Sequence, residues 1–293
     1  MSLSVIVAVQ NAEANLPAIL AAVRPSAYPE VEFLFCHNSA DPRTPELVGP
    51  GANRRVLCGR PGEPIPCLWR DGIRAATGDR VATTTAQCIP AADWVDRLLQ
   101  ADLTSTVGLG GAIRNAAGAD PRSWAMFLLR YAAFAPPLDA GDRAEIAADN
   151  ALYRRADLVR HGDLLDEGFW EPSFHARFRA ENLRLRLDPD LTVTHQNCYT
   201  ARQIIGQRTM HGRAYGLARG RSLPWAKRLA LTAVAPAVPA ILLRRIVRTA
   251  MAKPELRRAL SPAWPWLIAF ALSWSWGEAR GYLDSLSGES IRP

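Results

Sequence analysis

The sequence lacks several motifs that identify common enzyme classes. It has no CxxC pair, no cysteine–histidine grouping with zinc-ligand spacing, no Walker A motif and no G-x-S-x-G motif. These absences argue against a zinc module, a P-loop nucleotide hydrolase and a serine hydrolase of the α/β type. The glycine cluster GLGGA, at residues 108–112, lacks the G-x-G-x-x-G spacing after the first strand, which argues against a dinucleotide site.

Cysteine is also scarce. The 293 residues contain five cysteines, and an odd number cannot form a closed set of disulfides. We therefore expect free, buried thiols in a reducing compartment. The opening residues, MSLSVIVAVQNAE, have no basic region before an apolar run, so no signal peptide is expected.

Acidic residues are almost absent from one long segment. Between Tyr199 and Pro262 the sequence has eleven arginines and two lysines but only one acid, Glu255. This segment therefore carries a formal charge of +12, whereas the whole chain carries +7 and the remainder −5. Such an arm indicates an anionic partner, either a phospholipid surface or nucleic acid. We favour the membrane, because the arm is interleaved with long apolar runs rather than with stacking aromatic residues.

Strands and helices alternate through the first hundred residues. The opening run LSVIVAV, at residues 3–9, is continuous and apolar, as in a strand that is buried on both faces. Similar runs predict strands at 31–36, 54–58 and 80–84, and helices at 66–79 and 93–101. This pattern predicts an α/β fold with a mostly parallel sheet flanked by helices.

Two apolar stretches of fifteen residues, Leu229–Leu243 and Ala263–Gly277, mark the C-terminal part of the chain. Each is shorter than the ~20 residues that a helix needs to cross a bilayer. The second contains four of the nine tryptophans, a residue type that favours the membrane interface. We expect two interfacial or re-entrant helices on the cytoplasmic face of a membrane; two short transmembrane spans and a soluble helical cap are the alternatives. The predicted domains are residues 1–198 and a membrane-associated helical tail, 199–293.

Seven segments occur in a fixed order between residues 3 and 195. They are SVIVAVQNAEANLPAILAAV, FLFCHNSADPRT, GIRAATGD, RVATTTAQCIPAADWVDRLL, GGAIRN, DNALYRRADL and FWEPSFHARFRAENLRLRLDPDLTVTH. In order and spacing they resemble the family 2 glycosyltransferases of the GT-A fold, and the HGRAYG helix and apolar tail resemble a membrane-associated branch of that family. The resemblance implies a nucleotide-diphospho-sugar transferase of the inverting, hexosyltransferase type, which acts on a lipid-linked or cell-envelope glycan acceptor.

The chain departs from this family at the acidic positions. The first acidic pair of the family falls on Cys36 and His37, so that only Asp41 of that motif remains as a donor-binding acid. The metal-binding aspartates, the DxD motif of the family, fall on residues that are poor ligands for a hard cation. These residues are Thr85, Ala86 and Gln87. The family usually uses Mg²⁺ or Mn²⁺, but this sequence predicts no metal.

The catalytic acidic pair of the family falls on Glu171 and Pro172, which leaves Glu171 as the candidate base for the acceptor hydroxyl. A first-turn acid that is stabilised by the helix dipole is the structural alternative. The resemblance implies an acceptor-side turn at Asp149 and Asn150, for which capping of a strand end is the alternative. His175, one helical turn after Glu171, is a third acceptor-side candidate that either orients the acid or faces solvent.

Further residues are predicted on the donor side. The resemblance implies that Asn11 touches the nucleotide and that His195 lies near the donor phosphates. Without a metal, positive side chains must stabilise the diphosphate. Arg208, His211 and Arg213 supply this charge if their helix folds over the diphosphate. Contact with anionic lipid is the alternative for these three residues.

Two functions are consistent with the sequence. One is an active, metal-independent glycosyltransferase; the other is a non-catalytic, degenerate member that binds a nucleotide, a glycan or a partner enzyme at the membrane. The loss of three acidic functions together favours the second. The predicted partners are a nucleotide-diphospho-sugar, a lipid or glycan acceptor and an anionic membrane surface, and no nucleic acid is expected.

Overall fold

The computed structural model describes residues 2–38, 43–221 and 223–287. The chain forms two compact units, each built from two separate stretches of sequence. The first contains Met1–Ala116 and Phe134–Cys198, and the second contains Ala117–Ala133 and Tyr199–Pro293. Residues 117–133 were expected in the first domain, but they belong to the same unit as the C-terminal tail.

A nine-stranded sheet forms the centre of the first unit. In chain order, its strands are β1 (Leu3–Val9), β2 (Val31–His37), β3 (Arg54–Cys58), β4 (Arg80–Thr85), β5 (Cys88–Pro90), β6 (Gly108–Asn115), β7 (Gly141–Arg143), β8 (Asn150–Arg154) and β9 (Leu185–His195). The order across the sheet is β3-β2-β1-β4-β8-β6-β9-β5, and β7 pairs with β9.

The sheet is mixed rather than mostly parallel. Strands β1 to β4 run parallel to one another, as the alternation of strands and helices predicted. Strand β8 is antiparallel to β4 and β6, and β9 is parallel to β6 but antiparallel to β5 and β7. The prediction was wrong for this half because the regular strand–helix alternation, which supplies parallel crossovers, does not continue beyond the first hundred residues.

Helices complete both units. In chain order they are α1 (Leu16–Val23), α2 (Arg43–Val48), α3 (Ile65–Ala75), α4 (Trp94–Gln100), α5 (Pro121–Tyr131), α6 (Arg155–Val159), α7 (Gly162–Asp166), α8 (Glu171–Ala180), α9 (Ala201–Arg221), α10 (Trp225–Val234), α11 (Val238–Met251) and α12 (Pro254–Ser287). Helices α5 and α9 to α12 belong to the second unit.

Close packing of helix α3 on the sheet forms part of the core of the first unit. All seven residues of β1 are buried, as expected of a strand with neighbours on both faces. A Cβ atom on Gly72 of α3 would lie 2.4 Å from Cγ2 of Ile6, so only glycine allows this approach. Trp69 of the same helix donates its indole N–H to the carbonyl oxygen of Thr84 at 2.9 Å. These contacts fix the end of β4, where the predicted metal position lies.

Helices α9 and α12 of the second unit pack along glycines. A Cβ atom on Gly212 or Gly216 would lie 2.2 or 2.3 Å from a backbone oxygen of α12. A Cβ atom on Gly277 or Gly281 would lie 2.0 or 2.2 Å from a backbone oxygen of α9. Small residues therefore allow the two backbones to approach to a distance that any larger side chain would prevent.

The two apolar stretches of the tail differ in burial. Leu229–Leu243 lies in the helical segment Trp225–Met251, which is long and apolar enough to cross a membrane, with a mean hydropathy of 1.6 in its most apolar part. Only 17% of that part is buried. Ala263–Gly277, in contrast, is the interior of α12 and buries one face through Leu267 and Phe270. Within the described ranges, no second segment meets the length and composition of a span.

Candidate functional site

One edge of the sheet collects the polar residues of the first unit. The register aligns Val9 with His37, Ala8 with Thr85 and Thr84 with Asn150, so β1, β2 and β4 end where β8 begins. Strands β6 and β9 end at the same edge, where Asn115 pairs with His195. In open α/β sheets, ligands bind outside the carboxyl ends of the strands. The edge is therefore the candidate site of this unit.

The predicted metal position lies at this edge, beside Asp149. The Thr85 hydroxyl donates to the carboxylate of Asp149 at 3.2 Å, and the Thr84 hydroxyl donates to its backbone oxygen at 2.9 Å. Among the described residues, no group of three or more His, Cys, Asp or Glu is placed to hold a metal ion. One carboxylate with a threonine and a glutamine does not fit Mg²⁺ or Mn²⁺, which prefer several oxygen ligands with carboxylates among them.

Several buried polar atoms at the edge make no hydrogen bond with any residue that the structure describes. Glu13 is 7% exposed, His37 5% and Gln87 3%. Among the described residues, Oε1 of Glu13, Nδ1 of His37 and both amide atoms of Gln87 make no hydrogen bond of ordinary geometry, and the same holds for the side-chain amide of Asn115. Buried polar groups without partners are rare and costly in folded proteins. Their concentration at one edge indicates that a polar ligand completes them.

The chain after β9 closes this site against the turn after β1. The Cys198 thiol donates to the backbone oxygen of Asn11 at 3.3 Å, and the Asn15 amide donates to the backbone oxygen of Gln196 at 3.2 Å. The backbone N–H of Gln196 in turn donates to the backbone oxygen of Gln87 at 2.7 Å. Asn11 itself adopts a left-handed conformation, with φ of 50°, and its side chain is exposed at the rim.

Burial controls the charge of two groups at the site. It lowers the pKa of His37, and the nearby charge of Glu13 partly opposes this shift. Burial also raises the pKa of Cys198 to about 11, so this group is a neutral thiol at neutral pH. Glu13 was missed in the sequence, where the only available signal was an acid two residues after the Asn turn of the first strand.

A pocket of 390 Å³ opens at the carboxyl end of β3. Arg70 forms ion pairs there with Asp71, at 2.8 Å, and Glu63, at 3.6 Å. The side chains of Gln10 and Asn38 donate to the backbone oxygen of Glu63, so the pocket adjoins the turns after β1 and β2. Its lining residues are Cys58, Gly59, Arg60, Glu63, Arg70, Asp71 and Arg74. This polar pocket was not predicted, because its arginines are distributed over a loop and a helix face.

Glu171 is the first residue of α8 and is half-buried. Burial and the charge of Glu171 raise the pKa of Tyr153 well above its usual value. The Tyr153 hydroxyl lies 3.0 Å from Nε2 of His175. His175 is completely buried, and burial, with the charge of Arg179, lowers its pKa to about 3. The expectation that His175 faces solvent was wrong, because its side of α8 packs on the core; it has no surface to offer an acceptor.

The side chain of Asn150 is also buried and takes part in hydrogen bonds that hold the sheet together. Its side chain is fully buried, accepts from the Trp94 indole at 2.8 Å and donates to the backbone oxygens of Ala112 and Leu191 at 3.0 and 2.9 Å. These bonds join β8 to the neighbouring strands and leave the side chain no exposed surface for an acceptor. Asp149 and His195 are likewise buried, but both lie at the polar edge.

The predicted cationic residues lie in the second unit. Arg208 stacks over Trp274, 4.5 Å from the ring centroid, and burial together with Arg130 lowers the pKa of Arg208 to about 10. Burial, Arg208 and Arg130 lower the pKa of His211 to about 3. Arg130, which the sequence did not single out, thus belongs to this group. Arg213 is different, because its guanidinium pairs with Asp284.

The remaining predicted residue, Asp41, lies outside the described residues.

No protein-family model matches the sequence, and no curated protein matches it. The structure is similar to that of the mannosyltransferase PcManGT from Pyrobaculum calidifontis in complex with GDP-Man and Mn²⁺. The TM-score is 0.54 at 17% identity, over 98% of this chain and 88% of the other. It is also similar to S. aureus TarS 1–349 in complex with UDP, with a TM-score of 0.50 at 13% identity, over 100% and 93% of the two chains. At these identities the similarity shows a shared α/β glycosyltransferase fold.

Proposed function

We propose that this chain is a family 2 glycosyltransferase-like protein. In this proposal it transfers a sugar from a nucleotide-diphospho-sugar to a lipid-linked or cell-envelope glycan acceptor, without a metal. The observation that carries the proposal is the set of buried, unpartnered polar atoms at the carboxyl edge of the sheet. The fold supports it, since a mannosyltransferase with GDP-Man and TarS with UDP share the architecture.

The metal-independent part of the proposal rests on chemistry at the end of β4. Asp149 is the acid that contacts Thr85, and a single carboxylate binds a hard divalent cation weakly. Positive side chains are the other means of stabilising a phosphate charge. For the second unit we propose that Arg208 and Arg130 bind a phosphate group, and that His211, which is neutral at its lowered pKa, donates a hydrogen bond to it.

Glu171 is the proposed general base, and Asn11, Asp41 and His195 are proposed to contact the donor. The base takes the proton of the acceptor hydroxyl while that oxygen forms the new bond to the sugar. The nucleoside diphosphate leaves from the opposite face of the sugar. A half-buried carboxylate at a helix start suits this role, because part of its surface is accessible to an acceptor.

The test is the release of UDP or GDP from the corresponding nucleotide sugars in the presence of lipid-linked acceptors. We expect Glu171→Gln to lower kcat at least ~100-fold, since general base catalysis contributes that much or more. The matched control is Glu167→Gln, an exposed acid four residues earlier, which should keep the wild-type rate. Wild-type turnover that Glu171→Gln leaves unchanged would contradict the assignment of the base.

A second candidate function is a non-catalytic protein that binds a nucleotide, a glycan or a partner enzyme. The observation that favours it is the absence of acids at Cys36, His37 and residues 85–87, the positions where the family carries them. Nucleotide binding by a folded protein, with no turnover of any nucleotide sugar, would support this function over the enzyme.

We propose that the second unit associates with the cytoplasmic face of a membrane and that the first unit, Met1–Ala116 and Phe134–Cys198, is the transferase-like domain. The segment Trp225–Met251 is apolar and largely exposed, and basic residues lie on both sides of it and within it. Apolar side chains and cations together favour an anionic lipid surface. We propose a peripheral or monotopic arrangement; a single span through Trp225–Met251 is the alternative.

A further inference from the structure

Three polar side chains at the carboxyl edge are more than nine-tenths buried and have polar atoms that no described residue satisfies. Glu13 is 7% exposed, and its Oε1 has no hydrogen-bond partner among the described residues. His37 is 5% exposed, and its Nδ1 has no hydrogen-bond partner among the described residues. Gln87 is 3% exposed; its amide approaches the Cys198 thiol, but neither amide atom makes a hydrogen bond of ordinary geometry with a described residue. Each such atom costs free energy unless a ligand or water satisfies it.

The backbone holds these side chains in one cluster. Glu13 opens the short helical turn Glu13–Asn15, and Asn15 of that turn donates to the backbone oxygen of Gln196. The backbone N–H of Gln196 donates to the backbone oxygen of Gln87, which ties the turn after β1 to the end of β4. His37 ends β2 directly beside Val9, the last residue of β1. The charge of Glu13 acts on both His37 and Cys198, as expected of neighbours.

The chemistry of the cluster selects among the parts of a nucleotide sugar. A carboxylate accepts hydrogen bonds from hydroxyl groups but repels a phosphate. A primary amide both donates and accepts, and a neutral imidazole does the same through its two nitrogens. One carboxylate with an imidazole and an amide is a poor set for Mg²⁺ or Mn²⁺. A neutral group with several hydroxyls can donate to the carboxylate and exchange hydrogen bonds with the imidazole and the amide.

We propose that Glu13, His37 and Gln87 form a subsite for a neutral polyol, either the ribose of the donor nucleotide or the sugar that is transferred. This inference rests on the proposed function. In this arrangement Glu13, in the turn after β1, supplies the carboxylate that binds hydroxyl groups. The end of β2 supplies no carboxylate, because it carries Cys36 and His37. The diphosphate, in consequence, lies outside this cluster.

The experiment is calorimetric titration of the detergent-purified full chain and its Glu13→Gln variant. The probes are UDP, GDP, their 2′-deoxy forms, UDP-glucose and GDP-mannose. The matched control is Glu30→Gln, an exposed acid between α1 and β2. Thermal unfolding shows whether each variant is folded. Gln87→Met, which keeps the side-chain volume and removes the amide, provides a second variant if Glu13→Gln is unstable.

If ribose occupies the subsite, wild type binds the ribonucleotide about tenfold or more tightly than its 2′-deoxy form, and Glu13→Gln loses this preference. If the transferred sugar occupies it, Glu13→Gln loses instead the extra affinity of the nucleotide sugar over the nucleoside diphosphate. A folded Glu13→Gln or Gln87→Met that keeps both preferences overturns the inference and leaves the proposed function standing. A folded wild type that binds none of the probes overturns the proposed function and the subsite together.

Discussion

The hydroxyl of Thr85 donates a hydrogen bond to the carboxylate of Asp149, with 3.2 Å between Oγ1 and Oδ1. This contact joins a position where the family 2 glycosyltransferases that the sequence resembles carry a metal ligand to a residue that the resemblance placed on the acceptor side. It puts an acid at the end of β4 although β4 itself ends in threonines. The next residue, Asn150, points into the sheet and donates hydrogen bonds to the backbone oxygens of neighbouring strands.

The first prediction separates Asp149 from Asn150. Asn150→Ala leaves the Trp94 indole and the backbone oxygens of Ala112 and Leu191 without a buried partner, and should lower the free energy of unfolding by about 3 kcal/mol or more. Asp149→Asn retains an acceptor for the Thr85 hydroxyl and should cost about 1 kcal/mol or less. Urea unfolding of both variants measures this. Equal losses would show that the two side chains share one structural role.

The second prediction concerns the glycines of α9. Gly216→Ala would place a Cβ atom 2.3 Å from the Glu278 oxygen, so α9 and α12 must move apart and thermal stability should fall markedly. Gly206→Ala, in the same helix with nothing within 4 Å, should instead stabilise the protein by about 0.5–1 kcal/mol. Circular dichroism during heating compares the two. Similar melting temperatures for both variants would contradict the close packing of these helices.

The third prediction concerns pH. The pKa of His175 is about 3 in the folded protein and 6.5 in the unfolded chain, so the unfolded state binds the proton first as pH falls. The contribution of neutral His175 to the free energy of unfolding is therefore fully present above pH 6.5. Between pH 6.5 and about pH 3 it falls by about 1.4 kcal/mol per pH unit. Urea unfolding at pH 7, 6 and 5 should show a shallower decline for His175→Gln. Parallel curves for both proteins would exclude a buried neutral His175.

The fourth prediction concerns lipid binding. Trp225 and Ile241 are 68% and 65% exposed in the apolar segment of the second unit. Replacing both by serine should weaken sedimentation with anionic vesicles at least tenfold, roughly the effect of withdrawing two large apolar side chains from the interface. Leu47→Ser, an exposed leucine of the first unit, is the control. Vesicle binding that survives the double substitution would assign the attachment to basic residues alone.

The parallel half of the sheet was predictable because its signals are local. β1 is an unbroken apolar run, and the helix signals between the following strands have the right spacing. The antiparallel half was not predictable in the same way, since the direction of β8 depends on β4 and β6, which are distant in sequence. The close approach of α9 to α12 depends on glycines more than 60 residues apart, and no local pattern pairs them.

The same limit applies to the candidate site. The resemblance implied Asn11, Asp149 and His195, and all three lie beside strand ends at the polar edge, where parallel strands bring their carboxyl ends together. Burial was not predictable, since it depends on neighbours from other elements. For that reason the sequence could not decide whether His175 faces solvent or orients Glu171, and it gave no sign that Glu13 is buried.

Calorimetric titration of the detergent-purified protein with UDP, GDP and their nucleotide sugars, with Mn²⁺ and then with EDTA, tests whether the donor site needs a metal. Because the residues at the end of β4 do not fit a hard cation, we predict that one nucleotide binds with the same affinity, within about twofold, in both conditions. Binding that requires Mn²⁺ would contradict a metal-independent donor site. Absence of binding to any of them, by a folded protein, would contradict the donor site altogether.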